Sequence, residues 1–217
     1  MINILVTGSS GQLGNSIKEL SKLTKQYWYV FTDSKTLDIT KEKEVIALFE
    51  EIRFDYCINC AAYTAVDKAE EEIELCYSVN ADALNILAKI CAATNCVLIH
   101  ISTDFVFDGK LKHPYSEKDI ENPLNVYGFS KLEGEKAVQR IIKEHFIIRT
   151  SWLYSEYGSN FLNTMLKLGI ERNSLSVVSD QIGTPTYAGD LASFVIGIIE
   201  GANTNYGLYH YSNEGLA

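Results

Sequence analysis

No apolar run in this chain of 217 residues approaches the roughly 20 residues of a membrane-spanning helix. Met1-Ile2-Asn3-Ile4 enters a strand-like pattern at once, with no charged leader and no cleavage site ahead of it. Basic residues are in deficit: 19 Lys and Arg face 28 Asp and Glu, for a formal charge of -9. Such a chain is not expected to bind nucleic acid or an anionic membrane, although a local basic pocket for one phosphate is compatible with it. A disulfide framework is also missing. The five cysteines are odd in number and sit inside apolar segments, as reduced thiols do in a cytoplasmic protein. Cys57 and Cys60 have the spacing of half a zinc motif, but residues three apart on a strand point to opposite faces and no second pair completes a tetrahedron. His100, His113, His145 and His210 show no metal spacing, and the apolar runs around His100 and His145 suit interior imidazoles. No metal site is expected, and neither internal repeats nor low-complexity tracts occur.

What is present is an ordinary apolar content of 47%, enough for one substantial core. Short Val- and Ile-rich runs alternate with segments whose apolar residues recur at three- and four-residue spacing. The runs predict strands over 2–7, 28–32, 56–60, 96–102 and 145–150, with weaker ones at 175–178 and 207–212. The longer periodic segments predict helices over 12–24, 41–52, 73–94, 125–144, 159–172 and 188–201. This alternation defines an α/β chain with a doubly wound parallel sheet covered on both faces. Residues 103–124, with Gly109, Pro114 and Pro123, are too long for a tight connection and read as a functional loop.

Strand one runs into Thr7-Gly8-Ser9-Ser10-Gly11-Gln12-Leu13-Gly14 and then a helix. Gly8 permits a tight turn, Gly11 lets a backbone approach a pyrophosphate, and Gly14 allows close helix-on-strand packing. The helix N-terminus supplies free N–H groups. Asp33 closes the second strand 19 residues beyond Gly14, where a carboxylate can accept from adenosine ribose hydroxyls, which favours NAD; Lys35 leaves NADP open. Asp33 is equally a common turn residue. Thr103, on the exit of strand four, offers a hydroxyl to a substrate oxygen, or caps a turn together with Ser102 and Asp104. Tyr127 and Lys131 share one helix face, where an ammonium beside a phenol would lower a pKa that starts near ~10 and suit it to proton transfer. Chance alone supplies about one Tyr-x3-Lys spacing in such a composition, so the pair gains meaning only from its context.

The glycine loop, Asn59-Cys60-Ala61-Ala62-Tyr63-Thr64-Ala65-Val66-Asp67-Lys68-Ala69-Glu70, Ser102 to Gly109 and Pro123 to Lys131 together resemble the extended short-chain dehydrogenase/reductase superfamily. Within it they are most similar to the dTDP-4-dehydrorhamnose reductase family. Arg149 to Tyr154 and Asp180 to Thr186 extend the likeness over nearly the whole chain.

The resemblance implies a Rossmann-like core over 1–150. The segment 151–217 would add to a sugar-nucleotide site and to the last strands, as a small C-terminal substrate-binding part that looks incomplete at Ala217. It implies Thr103, Tyr127 and Lys131 as the catalytic set. NADH or NADPH would be held by Gly8, Gly11, Gln12, Leu13 and Gly14 at the pyrophosphate and by Asp33, Asp38 and Ile39 at the adenosine. Ala62, Tyr63 and Thr64 would line the path to the nicotinamide, with Tyr127 and Lys131 beyond. Thr103, Asp104 and Trp152 would contact a dTDP-sugar, with Trp152 alternatively a core side chain. The implied activity is reduction of a C4 keto group in a dTDP-4-keto-6-deoxyhexose. Two other readings stay open. Dehydratases and epimerases of the superfamily share the loop and the Tyr–Lys pair, but the dehydratases typically carry Glu after Thr-Asp, where this chain has Phe105. A non-catalytic regulatory subunit, as a relative provides for methionine adenosyltransferase, would bind dinucleotide without reduction. Homodimerisation and an interfacial magnesium, known in some members, do not carry over from the residues present.

Overall fold

A computed structural model describes residues 1–217. Its centre is a six-stranded, fully parallel sheet built from β1 (Ile2–Thr7), β2 (Tyr27–Phe31), β3 (Tyr56–Asn59), β4 (Val97–Thr103), β5 (His145–Thr150) and a last strand at Gly207–His210. The helices are α1 (Gln12–Ser21), α2 (Glu42–Glu51), α3 (Val66–Ala69), α4 (Ile73–Tyr77), α5 (Ala83–Thr94), α6 (Val126–Ile141), α7 (Phe161–Glu171) and α8 (Ala188–Glu200). Two short strands, β6 (Leu153–Tyr154) and β7 (Thr186–Tyr187), pair with each other apart from the main sheet, so the last strand is β8.

The order β2-β1-β3-β4-β5-β8 places β1 at the point where the winding reverses. A crevice therefore opens beyond the C-terminal ends of β1 and β3. Successive residues of a strand face opposite ways. Leu5, Cys57, Leu98 and Ile147 accordingly join Val45, Phe49, Leu84, Leu87 and Val138 from α2, α5 and α6 in one buried layer. Ile4, Val6, Ile58, Ile99 and Ile148 join Leu13, Ile17, Leu191, Val195 and Ile199 from α1 and α8 in the other. Residues 188–210 thus return to complete the sheet and its second layer.

Two expectations change. The segment 73–94 is not one helix: a π-turn at Ser78–Asp82 separates α4 from α5 and turns Asn80 fully inward, a distortion that often marks a functional site. Residues 175–178 form no strand. Leu175, Val177 and Val178 stand 38%, 51% and 67% exposed, and no strand of either sheet pairs with them. The long connection from 103 to 124 is packed down. Phe107 stacks on Tyr115 at 4.3 Å between centroids, and Asp108 accepts from the Tyr115 hydroxyl at 2.8 Å and from Asn122 Nδ2 at 3.1 Å.

Candidate active site

The glycine turn sits against the end of β3. Gly8 has φ +64°, and a Cβ there would fall 2.5 Å from the Ala61 nitrogen. At Gly14 a Cβ would fall 2.5 Å from the Ser9 Cα. Both glycines are therefore required by close backbone approach. Helix α1 begins without a side-chain cap, leaving its first N–H groups and positive dipole end facing the crevice, which suits a pyrophosphate. Leu13 is 4% exposed and packs in the core, and the Gln12 side chain is committed elsewhere. Gln12 Nε2 donates to the Leu153 carbonyl at 3.2 Å, while Oε1 accepts from Ser155 at 3.0 Å and Asn160 at 2.9 Å. Of these two residues only the backbone is free for a phosphate.

The adenosine-side residues divide similarly. One Asp33 oxygen, Oδ1, closes its own turn by accepting from the Lys35 and Thr36 nitrogens at 3.0 and 3.1 Å and from the Thr36 hydroxyl at 3.1 Å. Those bonds hold its pKa down. Asp38 Oδ1 accepts from Thr40 at 2.7 Å and Oδ2 lies 3.7 Å from Lys41. The Ile39 side chain is 5% exposed within the α2–α5 layer, so only its backbone is free to face an adenosine.

Asn80 was not singled out in the sequence, and the structure gives it a central place. It accepts from the Tyr63 nitrogen at 2.9 Å and donates to the Tyr63 carbonyl at 3.0 Å and to Ser130 at 3.0 Å. This clamps the turn carrying Ala62, Tyr63 and Thr64 against α6. The Tyr63 phenol donates to Glu72 at 2.7 Å.

Beyond β4 the catalytic candidates converge. Asn125 caps α6 by accepting from the Gly128 nitrogen at 2.8 Å, which fixes the first turn and with it Tyr127. Thr103 accepts from the Phe105 nitrogen at 3.2 Å and donates to Asp104 at 3.2 Å, so it caps the short 3₁₀ turn Asp104–Val106. Its hydroxyl also lies beside the Tyr127 phenol. The Phe105 ring meets Tyr127 edge-on, 5.6 Å between centroids.

Electrostatics correct one expectation. Burial pushes the Tyr127 phenol up to about 12, with the Thr103 hydroxyl opposing and Asp104 adding to the rise. Lys131 does not lower it. The Lys131 ammonium, 2% exposed, donates to the Ile101 carbonyl at 2.7 Å and meets His100 Nε2 at 3.3 Å, and burial brings it down to about 8. Burial lifts Asp104 to about 6. The phenol therefore carries its proton near neutral pH, while a pKa this far above the working pH leaves it a weaker acid than one near ~7 would be.

One turn further along α6, Glu135 bonds Ser102 and holds Arg149 in a buried pair at 2.6 Å, and Arg149 reaches Glu121 at 2.7 Å. Trp152 is 38% exposed, with φ +46°, its ring lying over Gly183; it is not a core side chain.

A parallel sheet with a glycine turn at its reversal point and a Thr–Tyr–Lys cluster beyond the next strand end defines the extended short-chain dehydrogenase/reductase class. The chain belongs to the RmlD substrate binding domain family, whose sequence model matches residues 2–217. It is 44% identical to the dTDP-4-dehydrorhamnose reductase of Aggregatibacter actinomycetemcomitans, over 99% of this chain and 74% of that protein. It is 41% identical to the spore coat polysaccharide biosynthesis protein SpsK of Bacillus subtilis, over 100% of this chain and 75% of that one. Among solved structures, the dTDP-4-dehydrorhamnose reductase of Bacillus anthracis in complex with NADP superposes with a TM-score of 0.96 at 42% identity. That match covers 100% of this chain and 76% of that one. The UDP-glucose 4-epimerase of Brucella ovis shares the fold, with a TM-score of 0.84 at 18% identity over 100% of this chain and 79% of that one.

Proposed function

We propose that this protein reduces the C4 keto group of dTDP-4-dehydrorhamnose, using NADPH or NADH. The observation that carries the reading is the meeting of Thr103, Phe105 and Tyr127 beyond β4. A protonated phenol and a hydroxyl stand side by side, and an aromatic ring occupies the place where an elimination enzyme needs a second acid.

The α1 N-terminus and the Gly8–Gly14 turn would hold the pyrophosphate, since the first N–H groups of α1 have no side-chain cap and the two glycines let the turn close tightly against Ala61 and Ser9. Asp33 and Asp38 would face the adenosine half, and Ala62, Tyr63 and Thr64 would line the way to the nicotinamide. The bound cofactor supplies hydride to the carbonyl carbon. Tyr127 donates its proton to the carbonyl oxygen, and the Thr103 hydroxyl donates a hydrogen bond to the same oxygen as charge develops there. Lys131, reaching from beneath, would bond the nicotinamide ribose. Asp104 and Trp152 would contact the sugar nucleotide, Trp152 by laying its ring along a sugar face.

The test is a panel of nucleotide 4-keto-6-deoxy sugars incubated with NADPH or NADH. Stoichiometric loss of reduced cofactor with formation of a 6-deoxyhexose supports reduction. An altered sugar with cofactor unchanged would mean epimerisation or dehydration. Dinucleotide binding with every sugar untouched would mean a non-catalytic protein. We further propose a cytoplasmic protein, since the sugar nucleotide proposed as its substrate is water-soluble; no helix is long and apolar enough to cross a membrane.

A further inference from the structure

A row of polar side chains crosses the sheet interior where apolar ones would be expected. Thr7, Asn59 and His100 are register partners on β1, β3 and β4, so all three project to the α6 face. They are 1%, 0% and 0% exposed. The Thr7 hydroxyl donates to Asn59 Oδ1 at 2.5 Å, Asn59 Nδ2 lies 3.1 Å from His100 Nδ1, and His100 Nε2 lies 3.3 Å from Lys131 Nζ. The row therefore runs from the strand that launches the glycine turn to the lysine beneath the proposed proton donor.

The hydrogens along this row cannot be chosen independently. Burial keeps the His100 imidazole neutral, with one N–H and one lone pair. An ammonium at Lys131 needs the lone pair on Nε2, which puts the ring proton on Nδ1. Asn59 must then present its amide oxygen to that proton and its Nδ2 to Thr7, a half-turn of the amide that gives up the 3.4 Å bond from Nδ2 to the Ala61 carbonyl. Without a cation at Nε2, the opposite arrangement is satisfied: Asn59 Nδ2 donates to Nδ1, the Thr7 hydroxyl donates to Oδ1, and the ring proton sits on Nε2.

We propose that His100 is a positioning residue for Lys131, anchoring its Nζ at the Ile101 carbonyl and exchanging tautomer with the charge that Lys131 carries. The inference rests on the reductase reading for its kinetic consequence, not for the tautomer itself. Asn59 is the group that lets the ring switch, at the cost of its Nδ2 bond to the Ala61 carbonyl and of the acceptor for the Thr7 hydroxyl, so the charge at Lys131 has to drive the exchange.

Two measurements test this. In 15N-resolved spectra of the histidine rings, with the His100 signals assigned by their loss in His100→Gln, Lys131→Met should move the ring proton from Nδ1 to Nε2. An unchanged tautomer overturns the coupling, and this readout needs no sugar substrate. In steady-state kinetics His100→Leu should lower kcat by roughly 10- to 100-fold, since small misplacements of a reacting group have effects of that size, with little change in the KM for the sugar nucleotide. His100→Gln restores an acceptor near Nε2 and should recover most of that loss. A His100→Leu enzyme with full kcat, or equal losses in both variants with equally lowered Tm, overturns a positioning role. If the parent protein oxidises no reduced cofactor, the reductase reading fails while the spectra still decide the His100–Lys131 coupling.

Discussion

Two side chains, Tyr127 at the start of α6 and Asp104 just beyond β4, illustrate how burial, more than spacing, sets reactivity. Tyr127→Phe keeps the ring against Phe105 and removes only the phenolic proton. It should lower kcat by roughly 10²- to 10⁴-fold, the usual worth of a positioned acid, with dinucleotide affinity preserved in a fluorescence titration; undiminished turnover would remove Tyr127 from the mechanism. Asp104 gives a stability prediction. Its folded pKa of about 6 stands above the ordinary 3.8, so the folded protein holds that proton more tightly than the unfolded chain does. The stability this gives is present at low pH and is lost as pH rises through about 6. Asp104→Asn cannot ionise, and should exceed the parent by about 1–3 kcal/mol near pH ~7.5 and match it near pH ~3.5. Urea denaturation at both values checks this, and a gap that does not change with pH would refute it. The Tyr–Lys pair and Thr103 could be read from sequence because a motif specifies residue types and intervals. The upward displacement of the Tyr127 pKa could not, since it depends on how dry the site is and on Lys131 turning to the Ile101 carbonyl instead of the phenol. His100, read as an interior imidazole, gained its meaning only when three strands came into register.

At the level of helices and strands, α6 is held to the sheet by charge as well as by apolar packing. Glu135 sits 1% exposed with Arg149 of β5, which also reaches Glu121 in the long connection and lies 5.1 Å from the Phe107 ring. Removing one member of such a pair strands a buried charge. Glu135→Ala should therefore lower stability by about 3–5 kcal/mol, whereas Glu135→Gln, which can still bond Ser102, should lose less; equal and small losses in calorimetry would show the pair to be dispensable. The strands β1 to β5 and the helices between them were legible because their periodicities are long and separated by clear turns. The break between α4 and α5 was not, because the apolar pattern continues through Ser78–Asp82 and the π-turn is fixed by Asn80 bonding Tyr63 and Ser130. The 175–178 run looked like a strand by composition, and composition carries no information about whether a sheet edge is at hand.

Across the whole molecule, the segment from β6 to β7 is the least embedded part. Helix α7 has no buried residue, and Phe161, Leu162, Leu166 and Ile170 stand 65%, 43%, 61% and 88% exposed. Leu166→Glu and Ile170→Glu should each change stability by less than about 0.5 kcal/mol, as surface substitutions away from packing do. A Tm depressed by several degrees in either variant would mean that this face packs against something. The tie from Gln12 to Leu153, Ser155 and Asn160 anchors the near end of that segment to the start of α1. The return of the chain after it has a consequence in time. Strands β1 to β5 and helices α1 to α6 are complete before residues 151–206 have been made, yet α8 and β8 are what finish the layer over Ile99 and Ile148. At ribosomal rates of about 5–20 residues per second that stretch takes on the order of 3–12 s. For those seconds the nascent protein shows an apolar sheet face and an unpaired β5 edge, and that is the interval in which a chaperone holding the newborn chain would matter most.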